Sequence, residues 1–107
     1  MNIPRIAITM GDAAGVGPEI VMKALAHRGL YARCRPLVVG DAARLAEAAR
    51  IAGSDIALNA VATPEEARFE AGTADCLDLK LLPPGLPFGR VSAVAGHAAY
   101  EYVRTAT

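Results

Sequence analysis

Short apolar runs alternate along the chain with stretches whose apolar residues recur every three or four positions. Ile6-Ala7-Ile8 reads as a buried first strand over residues 5–9. Ile20-Val21-Met22-Lys23-Ala24-Leu25 has helical spacing and predicts a first helix over 18–27, ended by Arg28-Gly29-Leu30 with Gly29 as a left-handed cap. Residues 35–41 predict a second buried strand closing on a turn. Asp41 then caps a second helix over 42–52, with Leu45, Ala49 and Ala52 on one face and Gly53-Ser54-Asp55 as its stop. Residues 56–61 read as a third strand. Thr63-Pro64-Glu65-Glu66-Ala67 sets a cap, a proline and two acids in the order that starts a short helical turn. Alternation over 76–82 predicts a half-exposed fourth strand, and 83–89 a stiff loop. Ser92 opens a last helix that carries Ala95, Ala99, Tyr102 and Val103 inward.

This order of strands and helices predicts an α/β fold, a mostly parallel sheet with helices on both faces. The last helix reaches Arg104-Thr105-Ala106-Thr107 with no glycine or proline to stop it. Residues 1–107 are therefore expected to be the amino-terminal α/β segment of a longer enzyme. Eleven basic and eleven acidic residues cancel and are spread along the chain, so no basic stripe points to nucleic acid. The apolar runs are too short to cross a membrane, and Met1-Asn2-Ile3-Pro4-Arg5 has no leader pattern. Cys34 and Cys76 stand far apart, as reduced thiols of a cytoplasmic protein do.

The chemistry centres on the junction between the first strand and the first helix. Thr9-Met10-Gly11-Asp12-Ala13-Ala14-Gly15-Val16-Gly17-Pro18-Glu19 places three glycines within seven residues. Glycine permits positive φ and lets a ligand approach backbone N–H groups, and Pro18 suits the first helical turn. Two phosphate loops fail here. A Walker A loop needs Lys and then Ser or Thr after its last glycine, where Pro18-Glu19 stands. A dinucleotide fingerprint begun at Gly15 needs glycine where Ile20 is.

Residues 6–21 resemble the amino-terminal signature of the 4-hydroxythreonine-4-phosphate dehydrogenase family, G-D-P-A-G-I-G-P-E, with Ala13 in place of its proline. The isocitrate and isopropylmalate dehydrogenases carry a shorter, distantly similar G-D-G-I-G-P-E. Residues 89–103 resemble the family's G-x-x-S-x-x-x-G-x-A-A-x-x-Y/F segment, so the likeness spans nearly the whole chain. The resemblance implies an isocitrate/isopropylmalate dehydrogenase-like fold and a two-domain homodimer. It implies oxidation of 4-phosphohydroxy-threonine by NAD or NADP with a divalent metal (Zn, Mg or Co), then decarboxylation to an aminoketone phosphate for pyridoxal phosphate synthesis. Relatives with this signature act on four-carbon sugar-acid phosphates or a cis-dihydrodiol dicarboxylate.

The same resemblance places Gly11, Asp12, Gly15 and Gly17 at the border of the cleft for cofactor and substrate. The residues alone leave Asp12 open between an Asx turn within its own loop and a ligand contact. Glu19 is expected to fix the loop to the helix start. His27 is expected to sit at a helix end, where a cation favours the dipole, and His97 inside the last helix. His97 has no acidic or histidine partner at ligand spacing. The resemblance implies metal ligands downstream of this segment, which by itself is therefore expected to be inactive. Arg90 and Ser92 are polar residues near a helix start, and Asp41 is explained by capping. A non-catalytic α/β binding module is the rival from another class.

Overall fold

The computed structural model describes residues 3–12, 14–15, 17–83 and 93–107. Its elements run β1 (Arg5–Thr9), α1 (Gly17–Leu25), α2 (Arg28–Arg33), β2 (Arg35–Gly40), α3 (Ala42–Ile51), β3 (Ala57–Val61), a short 3-10 turn (Pro64–Glu66), β4 (Thr73–Asp78) and α4 (Ala93–Ala106). The four strands form one sheet in the order β1-β2-β4-β3, and every pairing is parallel. The chain is therefore α/β, as the alternation of elements implies.

Along β2, Leu37, Val38 and Val39 are buried in succession. Successive strand residues point to opposite faces, so both faces of β2 are covered. Connections from β1 to β2 and from β2 to β3 run the same way across the sheet. Right-handed crossovers then put α1 and α3 on one face, where they pack against each other. After β4 the chain turns back, and α4 packs over β1 and β2. Met10, Met22, Leu25, Val38, Leu45, Cys76 and Tyr102 make up the centre of the core.

Four expectations change. Strand β1 keeps its predicted bounds but is exposed along Arg5, Ile6 and Ala7, because it is an edge of the sheet rather than an interior strand. The first helix ends at Leu25, since His27 is extended (φ −80, ψ 108) and a second helix starts at Arg28. Gly29 lies inside α2 and caps nothing. Tyr31 on that helix donates its hydroxyl to the Thr73 carbonyl at 3.0 Å, which fixes α2 against the start of β4. Strand β4 begins three residues earlier than the alternation indicated and lies between β2 and β3, with Ala74, Asp75 and Cys76 all buried. The alternating residues 79–82 belong to the chain leaving it. On α4 the inward residues are Ala95, Ala98 and Tyr102, whereas Val103 is exposed.

Two other local signals act as read. Gly53 adopts φ +69 after α3, and Ser54 N–H reaches back to the Ala49 carbonyl at 2.8 Å, a Schellman-type end. Glu66 closes a capping box on Thr63. The proposed loop over 83–89 and the cap at Ser92 lie outside the described residues beyond Pro83.

Candidate functional site at the carboxyl ends of the strands

The glycine loop leaves the carboxyl end of β1, and its residues divide by task. Met10 N–H donates to the Val39 carbonyl at 3.0 Å, which extends the β1–β2 ladder by one residue. Gly11 then takes φ +79, a left-handed conformation that favours glycine. Gly17 opens α1 against Met10, and a Cβ there would collide with the Met10 carbonyl oxygen. Gly15 is exposed, and a Cβ on it would meet the Asp12 carbonyl at an ordinary 3.5 Å. Neither φ nor packing demands glycine at Gly15, so what its missing side chain leaves open is the outer surface of the loop.

Asp12 is exposed and uses Oδ1 to accept Ala14 N–H at 2.8 Å, while its carbonyl accepts Gly15 N–H at 3.0 Å. That is the Asx turn, formed within the loop itself. Glu19 lies 3.7 Å from Lys23 one helical turn on. Ala13 and Val16 lie outside the described residues, as do Arg90 and Ser92.

A second group of polar side chains, which spacing did not reveal, sits beside this loop. Asp41 is 4% exposed and occupies the N-cap position of α3, yet it makes no capping bond with its side chain. Capping therefore does not account for it. Its Oδ1 accepts the Tyr102 hydroxyl at 2.6 Å and its Oδ2 accepts Leu82 N–H at 2.9 Å. Asp78 does the capping instead. The register sets Asp78 beside Gly40, and its Oδ1 accepts both Ala42 N–H and Lys80 N–H at 3.2 Å. Gly40 itself has to be small, because a Cβ there would stand 2.7 Å from the Met10 Cβ. Arg44, also buried, pairs with Glu47 at 2.9 Å.

Electrostatics in this group favour neutral donors. Burial, then the bond to Asp41, then the charges of Asp41, Cys76 and Asp78 raise the Tyr102 hydroxyl well above its ordinary value. Burial, with the Asp78 and Asp41 charges, pushes the Cys76 thiol up to about 12, partly offset by a backbone hydrogen bond from Gly40. Tyr102 thus stays a phenol at neutral pH and acts as a donor. Both oxygens of Asp41 are already taken, so the group holds structure in place and is not poised for acid–base exchange.

His27 is exposed at the start of α2 and His97 is exposed on α4. Among the described residues no three His, Cys, Asp or Glu side chains gather where a metal ion could bind. No helix among them is long and apolar enough to cross a membrane.

No family model matches the chain. The D-threonate 4-phosphate dehydrogenase of Cupriavidus necator is 58% identical over 104 residues, a match that takes in 97% of this chain and 31% of that protein. A crystal structure of a 4-hydroxythreonine-4-phosphate dehydrogenase from Burkholderia phymatum superposes with a TM-score of 0.97 at 55% identity, over 99% of this chain and 32% of that one. The chain matches a fragment of these dehydrogenases, about a third of each. The 4-hydroxythreonine-4-phosphate dehydrogenase of Klebsiella pneumoniae superposes at 0.84 with 40% identity, over 95% of this chain and 31% of that one. The chain spans about a third of the length of the family members it matches. The resemblance read from residues 6–21 and 89–103 is borne out, and so is the fold that it implied.

Proposed function

We propose that the chain is the amino-terminal α/β segment of a two-domain, cytoplasmic, homodimeric dehydrogenase. It would oxidise the C3 alcohol of a four-carbon acid phosphorylated at C4, with hydride passing to NAD or NADP. What carries this reading is the joint likeness, 58% in sequence and 0.97 in TM-score, to two dehydrogenases whose names specify such acids. Those two substrates differ at C2 alone, which bears an amino group in 4-hydroxythreonine-4-phosphate and a hydroxyl in D-threonate 4-phosphate. Oxidation at C3 makes either one a β-keto acid that loses CO2 readily. The amino acid then gives an aminoketone phosphate, the precursor that pyridoxal phosphate synthesis uses. The hydroxy acid gives dihydroxyacetone phosphate, and the Cupriavidus relative favours this second reading.

In the proposed enzyme the loop of Gly11, Asp12, Gly15 and Gly17 borders the cofactor cleft, and the exposed backbone at Gly15 supports that placement. A divalent metal (Zn, Mg or Co) would polarise the alcohol. The described residues do not fit it, so its ligands belong elsewhere in the enzyme. The segment alone would be inactive for the same reason. The test is reduction of NAD and of NADP by the full-length protein, with each phosphorylated acid, before and after chelation. Metal-dependent turnover with release of CO2 is the expected result. No turnover of either acid with any of the three metals would return the non-catalytic α/β module.

A further inference from the structure

A cavity of about 720 Å³ opens at the end of the sheet opposite the glycine loop. Ile56 and Gly72, the residues just before β3 and β4, lie in its wall, so it sits where those strands begin. Its polar lining comes from two sides. Lys23 near the end of α1, with His27 and Arg28 at the start of α2, supplies one, and Ser54 with Asp55, after α3, supplies the other. We propose that this cavity binds a small phosphate monoester whose carbon chain carries hydroxyl groups, with the phosphate on Lys23, His27 and Arg28. The proposal is independent of the dehydrogenase reading, which concerns the carboxyl ends of the strands.

The fold fixes the walls by itself. Tyr31 ties α2 to the Thr73 carbonyl at 3.0 Å, which holds the helix that carries Arg28. Gly53 (φ +69) turns the chain after α3, and Ser54 N–H bonds back to the Ala49 carbonyl at 2.8 Å. Ser54 Oγ accepts Ile56 N–H at 3.3 Å, and Ala57 N–H donates to the Gly72 carbonyl at 3.1 Å. A cavity of this size whose walls are set in advance is the usual form of a small-molecule site.

The lining selects the chemistry. Two fixed cations and a histidine stand within six residues, and among the described residues neither His27 nor Arg28 has an ion pair. Lys23 meets Glu19 only at 3.7 Å, with its side chain 66% exposed. A phosphate monoester carries about −1.5 to −2 charges at neutral pH, which Lys23 and Arg28 balance, with His27 as a further partner. A carboxylate would match only one of the two cations. Across the cavity the Asp55 carboxylate, also without an ion pair among the described residues, repels a second anionic group and accepts from a hydroxyl. Ser54 accepts through Oγ and has its own hydroxyl proton to donate. Met22, fully buried, and Ile56, half-buried, add carbon surface against which the chain of the ester can lie.

The test is calorimetric titration of the full-length protein with glycerol 3-phosphate, set beside the double variant Lys23→Gln, Arg28→Gln. Both side chains are exposed, so the exchange removes charge and spares the core. The wild type should bind one equivalent more per chain than the variant, with saturation by about 10 mM. Inorganic phosphate should bind there about tenfold more weakly, since it has no chain for Ser54 and Asp55 to hold. Cations that serve only the dipole at the end of α1 would lower the melting temperature of the variant and leave the two isotherms alike, which overturns the proposal. Equal affinity for inorganic phosphate would reduce the site to an exposed anion contact and also overturns it. Should the variant fail to fold, amide exchange on the wild type decides. Glycerol 3-phosphate should protect the amides of residues 27–29 and 54–56, and no protection there overturns the site. If the wild type oxidises neither acid yet binds the extra equivalent, the dehydrogenase reading fails and the cavity stands.

Discussion

Replacing Asp75 by asparagine exchanges one oxygen for an amide nitrogen at a position 1% exposed. Oδ1 of Asp75 accepts the Asn59 side-chain amide at 2.8 Å and Arg68 N–H at 3.1 Å, and Oδ2 accepts Phe69 N–H at 2.8 Å. These bonds hold the connection between β3 and β4 onto the sheet, with Phe69 in a left-handed conformation (φ +52) and Arg5 above its ring at 5.7 Å. However the new amide turns, one of the two backbone N–H groups loses its acceptor, because Asn59 can reverse its own amide and the backbone cannot.

A hydrogen bond to a charged acceptor contributes about 1.5–3 kcal/mol. The bonds that remain weaken on becoming neutral, while a neutral amide is easier to bury than a carboxylate. Release of the strained Phe69 backbone returns roughly 1 kcal/mol. The net expectation for Asp75→Asn is a loss of about 2 kcal/mol. Asp75→Ala, which strands three donors, should lose about 3–5 kcal/mol. Urea unfolding of the full-length protein, with the midpoint and slope fitted separately, measures both. A double-mutant cycle with Asn59→Ala should return a coupling of about 1 kcal/mol. A loss below about 0.5 kcal/mol for Asp75→Asn would mean that water already serves these N–H groups, and the tether would carry no weight.

Three further outcomes are expected. Gly17→Ala drives a Cβ into the Met10 carbonyl, backbone that cannot step aside, and should cost about 1–3 kcal/mol despite the better helix former, read as a lower urea midpoint. Asp12→Asn keeps an oxygen for Ala14 N–H and should leave stability within about 0.5 kcal/mol; a tenfold or greater fall in activity at an unchanged melting temperature would give the carboxylate a ligand. Stability should fall on the alkaline side. The thiol of Cys76 is raised from 9.0 to about 12 in the folded chain, and the Tyr31 hydroxyl from 10.0 to about 12, mainly by burial with Asp75 next. Above pH 9 the unfolded chain has shed protons that the folded chain retains, so stability is full below that pH and declines up to about 12, by at most about 1.4 kcal/mol per pH unit for each group. Cys76→Ala should flatten the first part of that slope in pH-dependent urea unfolding, and an unchanged slope would count against the buried thiol.

The sequence by itself determined whatever depends on neighbours along the chain. The α/β order, the bounds of β1, the end of α3 at Gly53, the capping box at Thr63 and the glycine loop all follow from signals a few residues long. The Asx turn at Asp12 is local too, one side chain bonding two residues ahead, but the residues alone left it open against a ligand contact. Tertiary structure decided which strands lie inside. Ile6-Ala7-Ile8 and Pro36-Leu37-Val38 look alike as sequence, yet β2 has strands on both sides and β1 on one, and no local pattern encodes a strand's neighbours. The same limit hid the role of Asp41. Cap chemistry and a buried tie ask for the same residue at the same place, and what separates them is the approach of Tyr102 and Leu82, 61 and 41 residues along the chain. Contacts that distant form only once the sheet has brought β2 and β4 side by side, so the crossed carboxylates Asp41 and Asp78 belong to the fold and not to any stretch of the chain.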